Sequence, residues 1–203
     1  MKFYLPIFTL FLGIIVLCVS SYVAYEVHGS IFSKVRILEL REYGGVTFEQ
    51  LGQLELWRLV SSQLVHVKPI HMLFNVLSLL FIGYFVEKII GGKKLLLLFF
   101  IAGIIGTLAS ILPVEAPYDV GTGTSQAVFG LVACGVLLMV KGLNKSVGLK
   151  LALLFCIIPA MALDIIYVGY PKIGHLVSFA TGLVISLYYL SKPNISQYQK
   201  LNN

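Results

Sequence analysis

Two residues that could act as nucleophile and base lie at matching ends of two apolar segments. Ser125 ends the glycine-rich run Gly121-Thr-Gly-Thr-Ser125 and begins one apolar segment, and His175 lies at the start of another. Serine becomes an effective nucleophile when a base removes its proton, and a neutral histidine can do this. The pair therefore indicates hydrolytic acyl-transfer chemistry inside a bilayer.

The composition places the segments that carry this pair in lipid. Of the 203 residues, 58% are hydrophobic and 12% are charged, whereas soluble domains have about 25% charged residues. The mean hydropathy is +0.93. The cysteines Cys18, Cys134 and Cys156 each lie in an apolar run, with no spacing typical of a disulfide framework or a metal site.

Six apolar stretches have lengths close to the ~17–25 residues that a helix needs to cross the hydrocarbon core. They lack the polar alternation of membrane-barrel strands, so we predict an all-α, polytopic membrane protein with six transmembrane helices. The segment 26–69 is predicted to be an interfacial loop with short surface helices, and 192–203 a short disordered cytoplasmic tail. The six stretches are 5–25, 70–86, 95–112, 125–140, 149–168 and 174–190.

The N-terminal stretch also has features of a secretory signal peptide, because Met1-Lys2 precedes an apolar run. The run is long for a signal core, which favours a retained first helix. Lysines concentrate at one set of helix ends, and the positive-inside rule then predicts cytoplasmic N- and C-termini. These lysines are Lys2, Lys88, Lys93, Lys94, Lys141, Lys145, Lys150, Lys192 and Lys200.

Four polar side chains in the predicted helices share one depth. At ~1.5 Å per residue, Ser125, His175 and His71 each lie about 24–25 Å, and Asn75 about 20 Å, from the lysine at the inner end of its helix. Each alone could bond a neighbouring helix as a packing contact worth ~0.6–2 kcal/mol. Their common level favours a functional site, because intramembrane polar residues usually face a bundle interior or a water-filled cavity.

These residues could together hydrolyse a substrate with serine as the nucleophile. A developing oxyanion needs fixed donors, and Asn75, His71 and the backbone N–H of Ser125 can supply them. The 16-residue fourth stretch is too short to cross the core, so the preceding chain is expected to dip into the membrane beside a cavity open to the outer side. Asp164 and Glu87 are expected to lie too far from His175 to orient it, which leaves a pair without a third member.

At these residues the sequence resembles the rhomboid family of intramembrane serine proteases, in an order that extends from about Trp57 to Leu190. The resemblance implies that Ser125 is the nucleophile, that His175 is the general base and acid, and that Asn75, His71 and the Ser125 N–H form the oxyanion hole. The matching features are Trp57-Arg58, His66, His71-Met-Leu-Phe-Asn75, Gly83, Glu87, Gly123-Thr-Ser125, Gly174-His175 and Gly182.

The resemblance further implies a single rhomboid-like membrane domain over residues 1–203, in the plasma (inner) membrane of a prokaryote. Substrates would be transmembrane helices of other proteins, cut near the outer membrane face. Beyond these helices and the lipid bilayer it implies no metal, cofactor or nucleic-acid partner, and it leaves the oligomeric state open.

Two positions differ from the family pattern and keep a second function open. Gln126 and Ser178 stand where the family usually has glycine, at a predicted close contact between the fourth and sixth helices. Gln126 is expected to bond Ser178 or to crowd the Ser125–His175 pair, against which Phe129 is expected to stack. The alternative is an inactive relative that binds or escorts membrane helices. A transporter is disfavoured because the six stretches show no inverted repeat.

Overall fold

The chain folds into a helical bundle, as the sequence predicts. The computed structural model describes residues 4–191, and within them the β pairing is limited to one isolated antiparallel bridge, between Val46 and Gly121. The predicted tail 192–203 lies outside the described residues. The helices are α1 Ile7–His28, α2 Ile37–Glu42, α3 Phe48–Gly52, α4 Arg58–Ser61, α5 Pro69–Ile90, α6 Gly92–Ile111, α7 Ser125–Val140, α8 Val147–Val168 and α9 Ile173–Leu190.

The long helices correspond to the six predicted transmembrane stretches. Five of them, α1, α5, α6, α8 and α9, are long and apolar enough to cross a membrane, and α7 is a shorter apolar helix of 16 residues. The three short helices α2, α3 and α4 lie within segment 26–69. The chain is thus an integral, multi-pass membrane protein.

Local sequence signals explain where several helices begin and end. Pro69 starts α5, where its missing N–H leaves no hydrogen bond unmade. The hydroxyl of Ser146 caps α8 by accepting a hydrogen bond from the backbone N–H of Leu149. At its other end α8 stops at Gly169, whose left-handed conformation (φ 85°) suits glycine.

The central helix of the bundle is α7, which packs between α5, α6, α8 and α9. Its residues from Gln126 to Gly135 are all buried. Close approach to α9 depends on Gly130 and Gly182, because a methyl group on Gly182 would lie 2.5 Å from the carbonyl oxygen of Gly130. Small residues therefore set the distance between the helix that carries Ser125 and the helix that carries His175.

Glu87, near the end of α5, fixes the beginning of α1. One carboxylate oxygen accepts hydrogen bonds from the backbone N–H and the hydroxyl of Thr9, at 2.7 and 2.6 Å. The other accepts from the backbone N–H of Phe8 at 3.2 Å. These donors belong to the first turn of α1, where N–H groups lack partners within the helix. Glu87 thus ties α1 to α5 and lies at the opposite end of α5 from His71.

Candidate active site

Ser125 is the first residue of α7, and backbone hydrogen bonds hold the peptide before it against segment 26–69. Val46 and Gly121 exchange N–H···O bonds of 3.1 and 2.8 Å, and the N–H of Gly123 donates to the carbonyl of Ser62 at 2.8 Å. Gly123 has a φ of 97°, which disfavours any side chain there. The irregular entry predicted before Ser125 is present, and it is covered by protein.

His175, in the first turn of α9, faces Ser125. Its Nε2 lies 3.2 Å from the Ser125 hydroxyl oxygen, and the residue is 4% exposed. The ring of Phe129 stacks on the imidazole, with centroids 4.4 Å apart and an angle of 10° between planes. The expected stacking of Phe129 is therefore confirmed.

The expectation that Asp164 lies too far from His175 to orient it is wrong. Asp164 Oδ2 lies 2.7 Å from His175 Nδ1, on the opposite side of the ring from Ser125. The error came from treating the end of α8 and the start of α9 as separate positions. α8 ends at Val168 and α9 begins at Ile173, so Asp164 and His175 lie near the two ends of one short connection. That short connection was the available signal.

Asn75 is held by His66, whose tautomer is fixed by its partners. The backbone N–H of Thr124 can only donate, and it lies 3.2 Å from His66 Nε2, so this nitrogen accepts and the hydrogen is on Nδ1. Nδ1 then donates to the Ser20 hydroxyl oxygen at 2.9 Å, and that hydroxyl donates to the Leu64 carbonyl at 2.8 Å. Asn75 Nδ2 donates its first hydrogen to His66 Nε2 at 3.0 Å.

The second hydrogen of Asn75 Nδ2 is available toward His71, whose Nε2 lies 3.3 Å away. Asn75 is 2% exposed and therefore has little freedom to turn. Burial, with a smaller contribution from nearby His71, lowers the pKa of His66 to about 3. Because His66 is neutral, its Nε2 can accept hydrogen bonds from Asn75 and from the Thr124 N–H in the loop before Ser125. From the sequence, His66 is only one of the features that resemble the rhomboid pattern, and its contact with Asn75 was not predicted.

Gln126 contacts the serine itself, and not Ser178 as one expectation had it. The Ser125 hydroxyl lies 3.0 Å from Gln126 Oε1, a second acceptor for its single hydrogen. The Ser178 hydroxyl instead donates to the Ala102 carbonyl of α6 at 3.1 Å. A methyl group on Gly106 would lie 1.7 Å from the Ser178 oxygen, so α6 provides the room for Ser178. The predicted place of Ser178, between α7 and α9, is wrong.

A cavity of about 540 Å³ lies beside these side chains. Ser125, His175, His71 and Asn75 all line it, together with Asp164. It continues along α5 and α8 into an apolar part that lies away from Lys68 and Lys172. The lining of this part includes Phe74, Ser78, Val128, Cys156 and Ala160. No group of three or more His, Cys, Asp or Glu side chains among residues 4–191 is arranged to hold a metal ion.

Comparisons with known proteins agree with this architecture. A family model described as "Rhomboid domain" matches residues 53–192. RHOMBOID-like protein 1 of Arabidopsis thaliana is 30% identical over 171 residues, which are 78% of this chain and 43% of that protein. Rhomboid protease GluP of Bacillus subtilis (strain 168) is 35% identical over 108 residues, which are 53% of this chain and 20% of GluP.

A further relative is described as inactive. Inactive RHOMBOID-like protein 8 of Arabidopsis thaliana is 30% identical over 121 residues, which are 58% of this chain and 34% of that protein. The chain spans less than half the length of each of these three curated relatives.

Proposed function

Since the chain belongs to the rhomboid family, we propose that it is an intramembrane serine endopeptidase that cleaves transmembrane helices of other proteins near the outer membrane face. The observation that carries this proposal is the 3.2 Å separation of the Ser125 hydroxyl oxygen and His175 Nε2 beside a cavity. This distance allows direct proton transfer within a hydrogen bond.

In the proposed reaction, the Ser125 oxygen attacks the scissile carbonyl carbon while His175 Nε2 takes the hydroxyl proton. The carbonyl electrons move to oxygen, where the Asn75 amide, His71 and the Ser125 N–H are positioned to stabilise the negative charge. Collapse of this intermediate breaks the C–N bond, and His175 returns the proton to the leaving amine. Water then attacks the acyl-enzyme while His175 takes a proton from it. The bond to the Ser125 oxygen breaks, and His175 returns the proton to that oxygen.

The apolar part of the cavity supports a membrane-helix substrate. It extends along α5 and α8 toward the middle of the spans, whereas its charged residues and its histidines lie near the other ends of the helices. A peptide unwound at its end could place a carbonyl at Ser125 while its apolar remainder stays between helices. This arrangement favours cleavage near one membrane face.

The distribution of lysine supports cytoplasmic termini in a prokaryotic inner membrane. The ends of α5 and α7 and the starts of α6 and α8 lie on one side and carry most of the lysines of the helix ends. A cysteine in place of Lys145 is then expected to react with an impermeant thiol reagent in inverted vesicles only. Reaction in intact cells would contradict this orientation.

The proposal is tested by labelling Ser125 with a fluorophosphonate in detergent and by cleavage of a transmembrane reporter in liposomes. We expect wild-type protein to do both and Ser125→Ala to do neither. Folded protein that is never labelled would overturn the proposal.

An inactive, helix-binding role is the second candidate, and the contact between Gln126 and Ser125 favours it, as does similarity to an inactive relative. In that case a membrane-helix partner would co-purify with both wild-type protein and the Ser125→Ala variant, and wild-type protein would give no product.

A further inference from the structure

Asp164 is a buried carboxylate inside a membrane helix, and such a group is costly unless its charge is compensated. Its side chain is 2% exposed. Oδ2 accepts a hydrogen bond from the backbone N–H of Lys172 at 2.9 Å and lies 2.7 Å from His175 Nδ1. Oδ1 lies 3.6 Å from the Lys172 ammonium. Both carboxylate oxygens therefore face donors, and one of these donors is the proposed base.

The contact with Asp164 fixes the tautomer of His175. An ionised carboxylate only accepts hydrogen bonds, so Nδ1 must carry a hydrogen. In the neutral ring Nε2 then has a free lone pair, and this is the nitrogen 3.2 Å from the Ser125 oxygen. Phe129 restricts the plane of the ring, and Asp164 restricts its rotation within that plane.

We propose that Asp164 is a positioning residue that completes a Ser125–His175–Asp164 triad, an inference that rests on the proposed peptidase function. Asp164 holds Nδ1 protonated before the reaction. When Nε2 takes the proton of Ser125, the ring becomes an imidazolium, and the adjacent carboxylate stabilises its positive charge while Asp164 itself stays ionised. The proton returns from Nε2 to the leaving amine, and the charge on Asp164 does not change.

Asp164 could instead have a purely structural role, in which it only holds the chain between α8 and α9. Through the backbone N–H of Lys172, Asp164 also joins the end of α8 to the connection before α9. If that were its only role, removing the negative charge would lower stability and leave the histidine tautomer and the chemical step unchanged. Asp164→Asn separates the two roles, because it keeps the size and a carbonyl acceptor but removes the charge.

The direct test is the tautomer of His175, measured by NMR on full-length protein labelled with ¹⁵N-histidine. The chain has four histidines, and His175→Gln assigns the relevant signals. Above about pH 8, where an ordinary histidine is neutral, we expect the Nδ1–H form in the wild type. We expect loss of that form in Asp164→Asn and its retention in Asp164→Glu. An unchanged tautomer in Asp164→Asn would overturn the proposal.

The kinetic test compares Asp164→Asn with Asp119→Asn, the same change in the segment between α6 and α7. For Asp164→Asn we expect kcat and the rate of Ser125 labelling to fall on the order of 10²- to 10⁴-fold, with KM within about threefold. Asp164→Glu should recover part of the loss, and Asp119→Asn should retain the wild-type rate. A kcat for Asp164→Asn within threefold of the wild type would refute the positioning role.

The two proposals can fail separately. If the wild type has the Nδ1–H tautomer but neither labels at Ser125 nor cleaves a reporter, the peptidase function fails while the Asp164–His175 contact stands. If the wild type cleaves and Asp164→Asn cleaves equally well, the peptidase function stands and the triad fails.

Discussion

At the scale of residues, the site is defined by where each hydrogen lies. His66 and His175 each have one nitrogen whose partner dictates its state: the Thr124 N–H for His66 and the Asp164 carboxylate for His175. Ser125 differs, because its one hydrogen has two acceptors at similar distances, Gln126 Oε1 at 3.0 Å and His175 Nε2 at 3.2 Å. In the proposed reaction, only the hydrogen bond to His175 leads to proton transfer.

Removing the acceptor at Gln126 is expected to speed the reaction of Ser125. A hydrogen bond of this kind contributes about 0.5–1.5 kcal/mol net, so Gln126→Met should raise the rate of fluorophosphonate labelling about 2- to 12-fold. The measurement is the rate constant for Ser125 labelling in detergent, at a pH above which this rate no longer rises.

Gln126→Gly distinguishes the hydrogen bond from the bulk of the side chain. Methionine keeps the size of glutamine without its carbonyl oxygen, and glycine removes both. Equal gains in the two variants assign the restraint to the hydrogen bond, whereas a gain in Gln126→Gly alone assigns it to bulk. Unchanged rates in both would contradict any restraint by Gln126.

At the scale of helices, glycine contacts and one carboxylate cap set the relative positions of the elements. Gly182 lies against the backbone of Gly130 between α9 and α7. A methyl group on Gly174 would lie 2.8 Å from the Gly106 carbonyl oxygen, between α9 and α6. These contacts involve backbone atoms, which cannot move aside as a flexible side chain can.

Gly182→Ala is therefore expected to separate α7 from α9. Its new methyl group would meet the Gly130 carbonyl oxygen at 2.5 Å and Cα at 2.7 Å, and overpacking of this kind costs about 1–3 kcal/mol. We expect a lower thermal midpoint in detergent and a loss of Ser125 labelling, because His175 lies on the displaced helix.

Gly52→Ala is the matched control, since no atom lies within 4 Å of the position where its methyl group would be added. It should leave both the midpoint and the labelling nearly unchanged. Wild-type behaviour of Gly182→Ala would show that α7 and α9 are not held in this close contact.

Glu87→Gln is expected to weaken the attachment of α1 without changing the chemistry at Ser125. The amide would turn one acceptor oxygen into a donor that faces the N–H groups of Phe8 or Thr9. Hydrogen bonds to a charged group contribute about 1.5–3 kcal/mol, and part of this should be lost from the free energy of unfolding. Glu26→Gln, on the exposed side of α1, is the control.

Measurement of both unfolding and labelling separates these effects. The rate of Ser125 labelling per folded molecule should be the same in Glu87→Gln and in the wild type. A slower rate in a folded variant would mean that α1 influences the site directly, contrary to this prediction.

At the scale of the whole molecule, the sequence predicts the bundle well because apolar length is a local property. The six stretches, the short α7 and the irregular entry before Ser125 can each be recognised from consecutive residues. The relative rotation of helices cannot. The neighbours of Ser178 and Asp164 depend on which faces of separate helices meet. Consecutive residues do not encode that information, and the predictions for these two residues are therefore wrong.

Folding buries His66 as a neutral base, which predicts a pH dependence of stability. The pKa of His66 falls from 6.5 to about 3 in the folded protein. Between these values the unfolded chain binds a proton that the folded chain does not, so the free energy of unfolding decreases as pH is lowered from 6.5 toward 3. Thermal midpoints in detergent at a series of pH values measure this slope.

His66→Gln should reduce the slope, since glutamine does not titrate. His28→Gln changes an exposed histidine and should leave most of the slope in place. If the His66→Gln variant loses stability with falling pH as steeply as the wild type does, another group is responsible.

The hydrogen bonds between Val46 and Gly121 attach the peptide before Ser125 to segment 26–69, whereas His175 is part of α9. His175 follows the tilt of α9, whereas the peptide before Ser125 follows segment 26–69, whose exposed Leu54 and Trp57 suit the lipid headgroup region. Helices respond to bilayer thickness by tilting, so thickness should change the distance between the two reacting atoms. We expect Ser125 labelling to pass through a maximum as lipid acyl chains lengthen; a rate indifferent to chain length would contradict this. The surrounding membrane would then act as a regulator of the reaction.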